Sequence, residues 1–232
     1  MTSPTNRERS MAGYYLQLLL WIIFMAVITF LAAGTLAYPA GWVMIILFGG
    51  CGLILITWLA RRSPQLLRER MSSPIQKGQE SWDKVWLSLF VIALCLWFAF
   101  MPWDAARSNF TAIPVWLQAI GGLLIVANYA GCFWTFNENS FAAPVVKIQE
   151  GQTVIDTGPY ALVRHPMYSS ALLLFFGMPL LLGSWTGLWG SLVLSIALAW
   201  RSINEEKALR RQFADYDDYS RRVRYRLVPY IW

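Results

Sequence analysis

Apolar and polar stretches alternate along this chain at intervals that suit a membrane. Tyr14 to Ala37 is the first long apolar run, followed by a short turn at Tyr38, Pro39 and Gly41. Trp42 to Ala60, Val85 to Met101, and a run opened by Pro114 and ending near Phe136 come next. A helix of about 20 apolar residues crosses about 30 Å of hydrocarbon, so each run predicts one crossing. Met167 to Trp200 is 34 residues long and is interrupted at Gly183-Ser184-Trp185-Thr186-Gly187. That length predicts two helices joined by a tight turn, the first kinked near Gly177 and Pro179. The sum is about six crossings, an all-α integral membrane protein. The basic start before the first run also fits a signal peptide. The run exceeds a usual apolar signal core of about 7–15 residues and further crossings follow, so it reads as an uncleaved helix.

Two polar loops and a polar tail separate these runs. Arg61 to Lys84 is broken by Ser63-Pro64 and Ser73-Pro74, and Gln65 to Met71 predicts a brief interfacial helix. Asn137 to Arg164 holds Val145, Val146, Ile148, Val154 and Ile155, which predict a short extended hairpin across Glu150-Gly151. The pattern divides the chain into residues 1–136, four crossings with a basic loop, and residues 137–232, a loop, a helical hairpin, a C-terminal helix and a tail.

Charge fixes the expected orientation. Of the 19 Lys and Arg, only Arg107 falls on the side opposite the termini in a six-crossing arrangement. The excess of basic residues on one side predicts cytoplasmic termini, loops and tail. The net charge of +6 therefore reflects loop placement and not a nucleic-acid surface. The three cysteines, Cys51, Cys95 and Cys132, each lie in an apolar run without metal-ligand spacing, so neither a metal site nor a disulfide framework is expected.

Candidate chemistry lies in two clusters at the expected cytoplasmic rim. Gly158 to Tyr168 reads Gly-Pro-Tyr-Ala-Leu-Val-Arg-His-Pro-Met-Tyr and contains the only histidine, His165. Pro166 biases His165 away from helix, so this is a rigid boundary segment. An aromatic, basic helix entry at the interface accounts for it as well as a site does. The second cluster is Arg201 to Tyr219, where Arg201 and Glu205 are four apart and share a helical face. A surface ion pair is the simple account. A hairpin returning to the same rim would nevertheless bring both clusters together.

Gly-Pro-Tyr-x-x-x-Arg-His-Pro-x-Tyr, an apolar hairpin, then Arg-x-x-x-Glu-Glu-x-x-Leu-x-x-x-Phe-x-x-Tyr-x-x-Tyr resembles the isoprenylcysteine carboxyl methyltransferases and their relatives the phospholipid N-methyltransferases. The resemblance covers about residues 145–232, with Leu66-Leu67-Arg68-Glu69-Arg70 and Trp82-Asp83-Lys84 looser echoes of bacterial members. It implies S-adenosylmethionine as cofactor in a cytoplasmic pocket, and a lipid-like or prenylated substrate entering from the bilayer. By position it implies that Gln152, Thr153, Val154, Ile155, Tyr160, His165, Pro166, Met167 and Tyr168 hold the cofactor. Glu205 would hold the cofactor's polar part, and Arg201 would bind a substrate carboxylate; these two are the candidate catalytic residues. Ser170 and Ala214 stand where the family commonly has glycine.

A carboxylate acceptor is ionised at neutral pH and needs orientation but no base, whereas an ammonium acceptor must first lose a proton. This favours carboxyl methylation over phosphatidylethanolamine-type N-methylation. Two other readings differ in class. The tail Tyr225 to Trp232 resembles the end of membrane sterol reductases, which use NADPH, and a non-enzymatic scaffold would need polar clusters only as helix anchors.

Overall fold

The computed structural model describes residues 10–107 and 112–232; Arg7 and Arg9 lie outside them. Eight α-helices are present among these residues: α1 (Met11–Ala33), α2 (Pro39–Arg62), α3 (Pro64–Arg70), α4 (Ser81–Arg107), α5 (Val115–Glu138), α6 (Pro166–Leu182), α7 (Gly187–Gln212) and α8 (Tyr216–Arg222). Proline stands at the first helical position of α2, α3 and α6, where its missing N–H costs nothing. Four helices, α1, α2, α4 and α5, are long and apolar enough to cross a membrane. Their outward side chains are strongly apolar: Leu31, Ile54, Leu96 and Leu123 are 67–75% exposed. Such a girdle on four parallel faces has lipid as its natural solvent.

The 34-residue run folds as the expected hairpin, α6 and the apolar first half of α7, turning at Gly183 (φ 83°). At 17 residues α6 is ~26 Å long, shorter than α1, α2, α4 and α5. Contacts at the hairpin tip nonetheless show that it reaches the far end of the bundle. The Tyr38 hydroxyl, just before α2, donates to the Leu182 carbonyl. Ser184 donates to Asp104 near the end of α4 at 2.6 Å, and accepts from the Gly187 N–H. Arg107, the lone basic residue there, donates to the Ala32 carbonyl and so caps the C-terminus of α1. The polar loops and the tail collect at the other end.

α6 lies against α5 at backbone distance. A Cβ on Gly121 would fall 2.6 Å from the Gly177 carbonyl oxygen, so small residues set this crossing. Met44, Met101, Ile125, Met178 and Leu182, from α2, α4, α5 and α6, form one buried cluster beside it. Ser170, the first departure from the family pattern, faces Gly131 of α5 and bonds the Pro166 carbonyl at 2.9 Å. A glycine on the opposite helix thus takes up the extra bulk. Ala214 sits in an exposed turn without positive φ and demands nothing of its neighbours.

The extended hairpin expected across Glu150-Gly151 is not formed; no strand occurs among the described residues. A turn is present, with the Gln152 N–H on the Gln149 carbonyl at 3.2 Å. The ladder is missing because α4 takes Val146 instead. Its carbonyl accepts from the Glu80 N–H at 3.0 Å, and its N–H donates to Asp83 at 2.9 Å.

Candidate active site

Gly158 (φ 56°) starts a single 3₁₀ turn, Gly158–Ala161, that aims Tyr160 inward. A side chain here would run into Glu138 at the end of α5, its Cβ 2.7 Å from Cδ, so glycine serves both the left-handed backbone and the close approach. The Tyr160 hydroxyl accepts from Asn139 at 2.8 Å, and its carbonyl accepts from the Tyr219 hydroxyl at 2.9 Å. Arg164 and His165 follow as non-helical backbone, with His165 at φ −127° and ψ 66° just before α6. Their N–H groups donate to the Tyr225 and Arg226 carbonyls at 2.9 and 3.0 Å, which clamps the tail onto the motif.

Glu206 organises the charge beneath. It is fully buried and accepts from Arg164 Nε at 2.8 Å and Arg226 Nε at 3.1 Å, with His165 Nε2 at 3.4 Å and Arg210 Nη2 at 3.5 Å. Arg164 also donates to the Ser220 and Val223 carbonyls, satisfying the end of α8. Burial alone would raise the Glu206 carboxyl; its contacts with His165, Arg164 and Arg226 outweigh burial and hold its pKa down at about 2.

Glu205 faces the other way. The Tyr168 hydroxyl donates to it at 2.5 Å, and His165 Nδ1 is 3.8 Å away. The rings of His165 and Tyr168 stack at 5.3 Å and 2°. These groups open onto a cavity of about 110 Å³ at the loop end of the bundle. Gln152, Thr153, Val154, Ile155, Tyr160, His165, Pro166, Met167, Tyr168 and Glu205 all line it. Every residue expected to hold the cofactor is therefore brought to one place.

Arg201 is brought close but not into that wall. It is 5% exposed, with Nε on Asp83 Oδ1 at 2.9 Å and Nη2 on Asp83 Oδ2 at 3.3 Å. Nη2 also donates to the Pro144 carbonyl at 3.0 Å. Its guanidinium lies over Trp86 at 4.9 Å and over Tyr168 at 5.6 Å, so it stands one side chain behind the cavity. The Arg201–Glu205 surface pair considered from the sequence does not form. Asp83 is wholly buried and also accepts from Gln79 at 2.9 Å.

Sequence reasoning missed Asp83 and Glu206 as organising groups. Both had a signal: Asp83 is an acid in the first turn of an apolar helix, and Glu206 follows Glu205 on a helix leaving the membrane. It also missed the α8 lid, where Tyr216 and Tyr219 pack on Val154, Leu209 and Phe213 to roof the cavity. Trp82 and Trp200 meet edge to face at 5.7 Å beside the Asp83–Arg201 pair, at the level where a membrane-water interface favours such rings.

Residues 116–216 match the phospholipid methyltransferase family. The chain is also similar to the nickel-cobalt-cadmium resistance protein NccN of Alcaligenes xylosoxydans xylosoxydans, 28% identical over 142 residues. That similarity covers 60% of this chain and 60% of the relative's length. The matched family segment runs from the start of α5 through the motif and hairpin to the first residue of α8, and so supplies most of the cavity. Over residues 116–216 the chain is thus similar to the phospholipid methyltransferases, and that match supports a membrane methyltransferase.

Proposed function

We propose that the protein methylates a carboxylate on an isoprenylcysteine-like or other lipid-bearing acceptor, using S-adenosylmethionine. The observation that carries this reading is the convergence of all ten expected cofactor residues on one cavity beside the membrane. The cavity suits the cofactor. Phe141, Tyr160, Tyr168, Phe213, Tyr216 and Tyr219 offer aromatic faces to a purine ring and to a sulfonium cation. Glu205, one oxygen held by Tyr168, has acceptor capacity left for an ammonium or hydroxyl.

When bound, the cofactor supplies a methyl group on positively charged sulfur. The chain orients the reactants, excludes water under the Tyr216–Tyr219 lid and holds the polar part with Glu205. No proton need move for a carboxylate acceptor. This matters because His165 has both ring nitrogens facing carboxylates, Nε2 on Glu206 and Nδ1 toward Glu205, and is poorly placed to serve as a base for an amine.

Thermal melting in detergent discriminates the readings. S-adenosylhomocysteine at 100 times its Kd is expected to stabilise the protein by about 2.7 kcal/mol. His165→Ala and Tyr168→Ala should abolish most of that gain. Stabilisation by NADPH instead would favour a reductase, and stabilisation by neither would favour a scaffold.

Orientation is part of the same proposal: termini, loops and cavity face the cytoplasm. Reporter fusions at Ser10 and after Trp232 are both expected to read cytoplasmic. One inside and one outside would break the shared rim on which the site depends.

A further inference from the structure

Three arginines approach the cavity, and two are neutralised. Arg164 has Glu206 and Arg201 has Asp83, each within 3 Å. Arg70, the last residue of α3, has no carboxylate within ion-pair distance among the described residues. Its Nη1 donates to the Ala142 carbonyl at 3.0 Å and lies 3.1 Å from Met167 Sδ. Both partners line the cavity, and neither carries charge. The guanidinium rests on the Phe136 ring at 4.5 Å, which fixes its plane. Nε and Nη2 make no hydrogen bond among the described residues. Burial is the largest influence on Arg70 and lowers its pKa; Arg201 lowers it further, while Cys132, Tyr160 and Tyr168 oppose.

A partly buried cation held by dipoles alone, with two donors of its fork unspent, is costly unless an anion completes it. We infer that Arg70 anchors the anionic group of the methyl acceptor, a carboxylate or phosphate carried by a lipid, at the cavity edge formed by Met167 and Ala142. This rests on the methyltransferase reading and gives the acceptor-binding role to Arg70 in place of Arg201. The planar fork suits two oxygens of one group, and the Phe136 contact holds that fork ready.

The test compares matched ligand pairs by competition binding in detergent. One pair is a prenylcysteine analogue and its methyl ester; the other is a phosphatidic acid and the corresponding diacylglycerol. Wild-type protein is expected to prefer the anion of one pair by about 10- to 100-fold, the range of a hydrogen bond to a charged group. Arg70→Met, which keeps the apolar packing on Phe136, should erase that preference and leave S-adenosylhomocysteine affinity unchanged. Arg70→Lys should restore part of it. The pair whose preference is lost identifies the anion. Preference surviving in Arg70→Met, absent from both wild-type pairs, or lost together with S-adenosylhomocysteine affinity would overturn the assignment. If wild-type protein shows the anion preference yet binds no S-adenosylhomocysteine, the methyltransferase reading fails and the Arg70 site stands.

Discussion

Glu206→Gln is expected to lower the melting temperature in detergent by on the order of 10 °C, with ligand absent. Glu206 is wholly buried and joins Arg164, Arg210, Arg226 and His165, so its charge ties together the motif, α7 and the tail. Glutamine keeps the shape and removes the charge, leaving Arg164, itself 8% exposed, without a counter-ion. Breaking a buried pair in this way costs about 3–5 kcal/mol. For 150–250 residues each kcal/mol moves the midpoint by about 2–4 °C. Acid should act through the same group. The folded pKa near 2 lies below the ordinary 4.5, so the stabilisation is fully present above the unfolded value. It is lost as pH falls from about 4.5 toward 2, and the gap corresponds to ~3 kcal/mol. Wild-type melting should therefore drop across that window, and Glu206→Gln should show a flatter profile. Glu205→Gln is the control: its side chain is 26% exposed and touches fewer groups, so apo stability should hardly change while S-adenosylhomocysteine affinity falls. Equal melting of Glu206→Gln and wild-type protein would remove Glu206 as the centre of this end.

The long apolar helices were legible because apolar length is dictated by the bilayer, and the interruption at Gly183 marked the hairpin turn. The grouping of residues around the cavity was legible because it is local: Tyr160, His165 and Tyr168 lie within one motif, and Glu205 sits one hairpin away. What the sequence hid was pairing over long separation. Arg201 meets Asp83 across 118 residues, a contact that helical spacing does not foretell. Spacing pointed instead to Glu205, which Tyr168 takes. The expected strand pair at 145–155 failed for the same reason. Adjacent β-branched residues mark a buried segment, and here Val145 and Val146 are 4% and 5% exposed while the Val146 backbone serves the start of α4. A β pattern reports burial first and ladder partners only second.

The Arg201–Asp83 pair supports a prediction that separates two roles by which quantity moves. If Arg201 holds the acceptor's carboxylate directly, Arg201→Lys should cut methyl transfer and spare cofactor affinity, and Asp83→Asn, by releasing the guanidinium, should not weaken cofactor binding. The contacts favour a positioning role. Arg201 donates to the Pro144 carbonyl, Asp83 accepts from the Val146 N–H, and the segment they pin continues into cavity-lining Lys147 and Ile148. Asp83→Asn would leave a guanidinium that is 5% exposed without its counter-charge and loosen that wall, a loss of about 3–5 kcal/mol. Lysine at 201 keeps the charge but cannot reach Asp83 and Pro144 with one planar fork. Both variants are therefore expected to weaken S-adenosylhomocysteine binding and methyl transfer together, by at least 10-fold each. The double variant should lose less than the sum, because either change alone already breaks the shared clamp. Calorimetric affinities and transfer rates measured on the same four proteins decide the matter. Arg201→Lys with wild-type cofactor affinity and depressed transfer would return Arg201 to the acceptor, and Arg70 would then share that anion with it.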